Sequence, residues 1–127
     1  ALILIAPAWD MTEELMWNKF PQEIRDEIQS QGFYLRPSAY DAPYTITLGL
    51  IEDGRRHLLA RQKFDPGCPV RIIQGAQDVD VPAGHTRELV DFLAGQDVQL
   101  IEVPDGEHRL SRPQDLALLF KMIEGVL

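Results

Sequence analysis

From residue 70 to residue 103 a short apolar run, a helical pattern and a second strand pattern follow one another, and this order constrains the fold more than any other feature. Val70-Arg71-Ile72-Ile73 reads as a strand ending at Gln74-Gly75. Pro82 and Gly84 precede a stretch carrying Leu89, Phe92 and Leu93 at helical spacing, Gly95 stops it, and Val98 to Val103 alternates as a strand does. A helix between two strands supplies the crossover that a parallel pair needs. The segment is one strand–helix–strand unit.

The flanking sequence extends that unit. Leu2-Ile3-Leu4-Ile5 is a continuous apolar run ending in Ala6-Pro7, and its length favours a strand covered on both faces. Asp65-Pro66-Gly67-Cys68-Pro69 is a turn cluster ahead of the strand at Val70, and Pro104-Asp105-Gly106 is a turn after Val103. Ser111-x-x-Gln114 reads as a capping box ahead of a last helix, with Leu116, Leu119, Phe120 and Ile123 on one face.

Residues 11 to 62 read differently. Asp10 with Glu13 resembles a capping box, and Pro21 suits the first turn of a second helix carrying Ile24 and Ile28, stopped near Gly32. Tyr34 to Tyr44, with its two prolines, should be extended and irregular before a helix that begins near Thr45, carries Leu50, Ile51 and Leu58, and is weakened at Gly54. The expected organisation is one domain: a strand within 1–10, a helical insertion over 11–62, and a strand–helix–strand–helix segment over 63–127.

Composition removes several function classes. Twelve basic against twenty acidic residues give a formal charge of -8 in 127 residues, so the chain lacks the electrostatic footprint for nucleic acid or an anionic membrane surface. No stretch approaches the roughly 18 apolar residues of a membrane-spanning helix. The single Cys68 excludes an internal disulfide framework and fits a reducing compartment, with cytoplasm the expected location. The apolar start at Ala1, with neither Met nor a basic leader, suggests a fragment.

Asp78 follows the strand that ends at Gly75, and His108 follows the strand that ends at Val103. In an open parallel sheet the loops beyond the carboxyl ends of adjacent strands converge, so a carboxylate there can accept the imidazole Nδ1–H, fix its tautomer and stabilise the imidazolium. The segment Val70 to Pro82 is similar to the strand and turn that carry the acid of α/β-hydrolases, and Gly106-Glu107-His108 matches their histidine turn. The chain thus resembles the C-terminal half of an α/β-hydrolase-type serine hydrolase, with Leu2 to Pro7 as the strand that follows the nucleophile's helix. Phe33-Tyr34-Leu35-Arg36-Pro37-Ser38-x-Tyr40 with Leu50-Ile51-Glu52-Asp53-Gly54 further resembles a bacterial and mitochondrial branch of acyl-protein thioesterases and acyl-ester hydrolases.

The resemblance implies parallel strands, flanking helices and a helical lid, and cleavage of an ester or thioester with Asp78 and His108 as triad acid and base. It implies neither cofactor nor metal. It also exposes a departure: Ser30, Ser38 and Ser111 are the only serines, and none lies in a Gly-x-Ser-x-Gly elbow, so the nucleophile is missing. The implied partners are a small-molecule or acyl-protein ester substrate, and either the N-terminal half of the same protein or a second copy. The chain alone should be inactive.

Other residues have plainer readings. Asp80 is the alternative acid, and Asp105 a turn former. His85 should start a solvated helix and His57 lie on a polar face, and the three histidines show no metal-ligand spacing. Ser111 reads as an N-cap and Cys68 as an inert small hydrophobe. Trp9, Trp17, Phe20, Phe33, Tyr34, Tyr40 and Tyr44 suit core packing of the insertion or contact with substrate, and Arg36, Arg55 and Arg56 are solvated cations or anchors for an acidic group. The rival function is a non-catalytic α/β module that binds a partner through an exposed sheet edge.

Overall fold

The computed structural model describes residues 1–127. In chain order the elements are β1 (Leu2–Ile5), α1 (Gln22–Gln31), β2 (Phe33–Arg36), β3 (Tyr44–Thr47), α2 (Leu48–Gly54), β4 (Val70–Gly75), α3 (Ala83–Phe92), β5 (Val98–Val103) and α4 (Pro113–Glu124). Short non-α helical turns cover Thr12–Met16, Trp17–Lys19 and Arg55–His57. The chain forms two compact units, one of Ala1–Trp9 with Ala60–Leu127 and one of Asp10–Leu59.

The first unit holds a parallel sheet in the order β1-β4-β5. Leu2 pairs with Val70 and Val70 with Val98, so β4 is the central strand. Its alternation explains its burial. Val70 and Ile72 join Trp9, Ala60 and Leu89 in one core cluster, while Ile73 joins Leu110 and Met122 in another. Burying each of the Val, Ile, Leu and Met side chains among them stabilises the fold by about 1.5–3 kcal/mol. Arg71, nearly buried on that second face, is neutralised by Asp97 through bonds of 2.7 and 3.1 Å. β1 was expected to be covered on both faces; instead it is bonded along one edge, and Leu2 and Ile5 are 43% and 47% exposed.

Two expectations for α4 are corrected. The first turn is closed by Asp115, whose carboxylate accepts the Arg112 N–H at 3.1 Å, in place of a Ser111–Gln114 box. The inward stripe is Asp115, Leu118 and Met122, at three- and four-residue steps, while Leu116 and Phe120 are exposed. Asp115 can lie inward because Arg112 satisfies it, and of the expected stripe Leu116 and Phe120 then lie outward while Leu119 and Ile123 are half-buried.

The second unit holds a two-stranded sheet, where the helical insertion expected over residues 11–62 had only an irregular extended stretch from Tyr34 to Tyr44 and a helix from near Thr45. β2 and β3 pair antiparallel, Phe33 opposite Thr47 and Arg36 opposite Tyr44. Tyr44-Thr45-Ile46-Thr47 is one aromatic followed by three β-branched residues, types that fit a half-covered pleated surface. Thr45 is therefore in a strand, and Thr47 caps α2 by accepting the Leu50 N–H at 3.1 Å. α1 stops at Gly32, whose φ of 89° is open to glycine without strain. Asp10 does not cap a helix. It lies at φ 47° and accepts the Leu59 N–H at 2.7 Å. Ile28, Ile46 and Ile51 form the unit's core, with Trp17, Phe20 and Tyr34 against it.

Candidate active site

The loops after β4 and β5 belong to adjacent parallel strands, and two glycines let them close on each other. A Cβ on Gly75 would stand 2.5 Å from the Gly106 carbonyl oxygen, and one on Gly106 would stand 3.1 Å from the Gly75 Cα. Side chains at either position would force the turns apart. The contact is tied by the Gln77 N–H donating to the Gly106 carbonyl at 2.9 Å and the Ala76 N–H to the Val103 carbonyl at 2.9 Å.

This crossing places Asp78 against His108. Asp78 Oδ1 accepts the N–H groups of Asp80 and Val81, both at 2.9 Å, and Oδ2 lies 2.9 Å from His108 Nδ1. An ionised carboxylate only accepts, so the proton in that bond sits on Nδ1 and leaves Nε2 as the ring's other, basic nitrogen. The Asp78 side chain is fully buried whereas that of His108 is 46% exposed. A buried carboxylate thus holds an accessible imidazole in one orientation.

The remaining sequence candidates lie elsewhere or act otherwise. Asp80 is exposed and contributes its backbone N–H to Asp78, though Asp78, Asp80 and His108 could together offer a metal three ligand atoms within 4.8 Å of one another. Asp105 is more than a turn former: Arg112 donates to it at 2.8 and 3.1 Å and to Asp115 at 2.9 Å, bracing the histidine turn against α4. These hydrogen bonds hold both carboxyls below the ordinary aspartate range and raise the Arg112 guanidinium.

His85 corrects the expectation of a solvated residue. It is buried and stacked on Trp9 at 4.3 Å, its Nε2–H donating to the Trp9 carbonyl at 2.9 Å while the Trp9 indole N–H donates to the His85 carbonyl at 2.6 Å. Trp9 accordingly belongs to the core of the sheet unit. His57 is exposed near Asp53, Ser111 is exposed just before the helix cap, and Cys68 is half-buried at the start of β4, the end away from the two loops. Arg55 pairs with Glu13 and lies over the Trp17 ring, and Arg56 is near Asp53. Phe33, Tyr40 and Tyr44 are exposed.

Sequence reasoning missed Gln74. It is fully buried at the end of β4 and bonded to the acid loop and to Thr86. A polar residue closing the run Val70 to Ile73 was the available signal.

The same arrangement of strands and helices is found in a protein of Agrobacterium vitis S4 proposed to be a hydrolase, at a TM-score of 0.91 and 40% identity over 98% of this chain and 48% of that one. Mouse alpha/beta hydrolase domain-containing protein 10 matches at a TM-score of 0.85 and 28% identity, over 98% of this chain and 50% of that one. The chain is homologous to the α/β-hydrolases. Its sheet and flanking helices form part of that hydrolase fold, the C-terminal part of these relatives.

Among curated proteins, "Palmitoyl-protein thioesterase ABHD10, mitochondrial" is 30% identical in Rattus norvegicus and 28% in Homo sapiens. The match takes in 100% of this chain, which spans only 43% and 42% of those hydrolases' lengths. No family model matches the chain. The cytoplasmic expectation is corrected by these names, which place the curated relatives in mitochondria.

Proposed function

We propose that this chain supplies the acid and the base of a serine-hydrolase triad that cleaves a thioester or ester. The observation that carries this reading is the 2.9 Å bond between the buried Asp78 Oδ2 and the half-exposed His108 Nδ1, formed by the loops after neighbouring parallel strands. In this reading His108 Nε2 takes the proton from a serine hydroxyl as it attacks the carbonyl. Asp78 stabilises the resulting imidazolium, and His108 returns the proton to the leaving thiol or alcohol. A water then repeats the sequence on the acyl-enzyme. No cofactor is required by these steps.

The serine belongs to no Gly-x-Ser-x-Gly elbow of this chain, so it comes from a further segment of the protein. The name of the thioesterase relatives supports an acyl thioester as substrate, either a small molecule or an acylated protein. The open edge of β1, with Leu2 and Ile5 exposed, supports docking of that further segment or of a second copy.

A fluorophosphonate probe tests the reading. It should label a serine of the protein that carries this chain when His108 is intact, and labelling should fall sharply in His108→Ala. The isolated chain should take up none. Stoichiometric labelling of the isolated chain would place the nucleophile within these residues and overturn the assignment.

A further inference from the structure

Strand alternation puts Val70, Ile72 and Gln74 on one face of β4, where the first two join the apolar core and the third is a fully buried amide. A buried amide is costly unless its polar atoms are bonded, and those of Gln74 are. Its Nε2 donates to the Val81 carbonyl at 2.9 Å and the Gly75 carbonyl at 3.0 Å, and it lies 3.4 Å from Asp78 Oδ2. Its Oε1 accepts the hydroxyl of Thr86, itself fully buried on α3, at 2.5 Å.

Only one amide orientation satisfies this set. Reversing it would turn Oε1 onto two carbonyls and a carboxylate, none of which can donate. Gln74 therefore ties three things together: the end of β4, the far side of the acid loop at Val81, and the Asp78 oxygen that also meets His108. The Val81 N–H in turn holds Asp78 Oδ1 at 2.9 Å. Both oxygens of the carboxylate thus depend on a loop shape that Gln74 pins at the Val81 carbonyl, with Thr86 holding Gln74 itself through Oε1.

We propose that Gln74, oriented by Thr86, is a positioning residue that holds the Asp78 carboxylate on His108 Nδ1. This rests on the hydrolase reading only for its kinetic consequence; the placement of Asp78 on His108 stands without it.

The test uses the complete protein that carries this chain and p-nitrophenyl butyrate as substrate. Gln74→Met keeps length and loses the donors, and it should lower kcat about tenfold, the worth of one hydrogen bond, with KM within about twofold. Thr86→Val should act in the same direction, and Thr86→Ser should keep the wild-type rate. In an Asp78→Asn background Gln74→Met should add less than about twofold, because its effect runs through Asp78. In the proton spectrum, the low-field signal of the hydrogen-bonded His108 Nδ1–H should broaden or vanish in Gln74→Met and persist in Thr86→Ser.

An equal loss from Gln74→Met with and without Asp78 would overturn the proposal, as would a folded Gln74→Met with unchanged kcat and an intact Nδ1–H signal. Should Gln74→Met not fold, Thr86→Val carries the same comparisons. If Asp78→Asn leaves hydrolysis untouched, the hydrolase reading falls. The Nδ1–H signal then decides for this inference alone, its loss in Gln74→Met supporting it and its retention refuting it.

Discussion

Gly75 and Gly106 cross so closely that a methyl group on Gly75 would lie 2.5 Å from the Gly106 carbonyl oxygen. That approach brings the acid turn and the histidine turn within reach of each other, and each glycine opens the motif whose third or second following residue is Asp78 or His108. The glycines of the two motifs are there for the crossing as much as for the turns.

Gly75→Ala should therefore damage both stability and chemistry. Overpacking against rigid backbone typically costs about 1–3 kcal/mol, and here relief comes only by moving the two loops apart. The urea midpoint should fall and the His108 Nδ1–H signal should be lost together. A variant that keeps the signal at wild-type stability would show that the turns have room to spare.

The two neighbouring acids should behave differently. Asp78→Asn disrupts the acceptor that fixes the tautomer of His108, and in the complete protein it should lower kcat by about 10⁴, with KM little changed. Asp80→Asn leaves its backbone N–H to Asp78 in place and should cost less than about tenfold. Steady-state kinetics of the two variants decide between them, and a greater loss from Asp80→Asn would transfer the role of acid.

The Arg112 network gives a pH dependence of stability. Hydrogen bonds from Arg112 lower the pKa of Asp105 and Asp115 in the folded chain. Groups with depressed folded values stabilise the fold fully above the ordinary aspartate value of about 4, and that contribution is lost as pH falls through the lower folded values. Urea midpoints measured from about pH 6 to about pH 2 should thus decline more steeply for the wild type than for Asp115→Asn, which removes one of the titrating groups. Parallel curves would contradict the role of Asp115.

What the sequence made legible follows from local rules. The unit from Val70 to Val103 showed its strands by apolar runs and its helix by spacing, and a parallel sheet then forced Asp78 and His108 to neighbouring loops. What stayed hidden was decided by distant partners. The pairing of Phe33–Arg36 with Tyr44–Thr47 spans a loop whose prolines read as irregular chain, and nothing local announces an antiparallel partner. His85 was expected on a solvated helix and Gln74 only at a strand end, because their burial is made acceptable by Trp9 and by Thr86 with Val81. The rotation of α4 was hidden by a local pair instead, Arg112 with Asp115 three residues on. Leu116 and Phe120 outweigh Asp115 in apolar pattern, yet Asp115 is the buried one, its charge satisfied by Arg112.

That rotation, together with the open edge of β1, leads to the last prediction. Leu2 and Ile5 are 43% and 47% exposed on a strand bonded along one side, and Phe120 is 63% exposed on α4. A parallel sheet strand is ordinarily covered on both faces, and an unpaired edge with apolar neighbours recruits another chain. In isolation the chain should therefore self-associate, and sedimentation should show a mass that rises with concentration. Ile5→Lys puts a charge beside the open edge, and Phe120→Glu puts one on the outward stripe; neither side chain is buried, so the fold should survive both changes. Each variant should shift the distribution toward monomer, the Ile5 change more strongly because it also blocks strand pairing. A wild-type chain that stays monomeric at all concentrations would show that these surfaces need no partner.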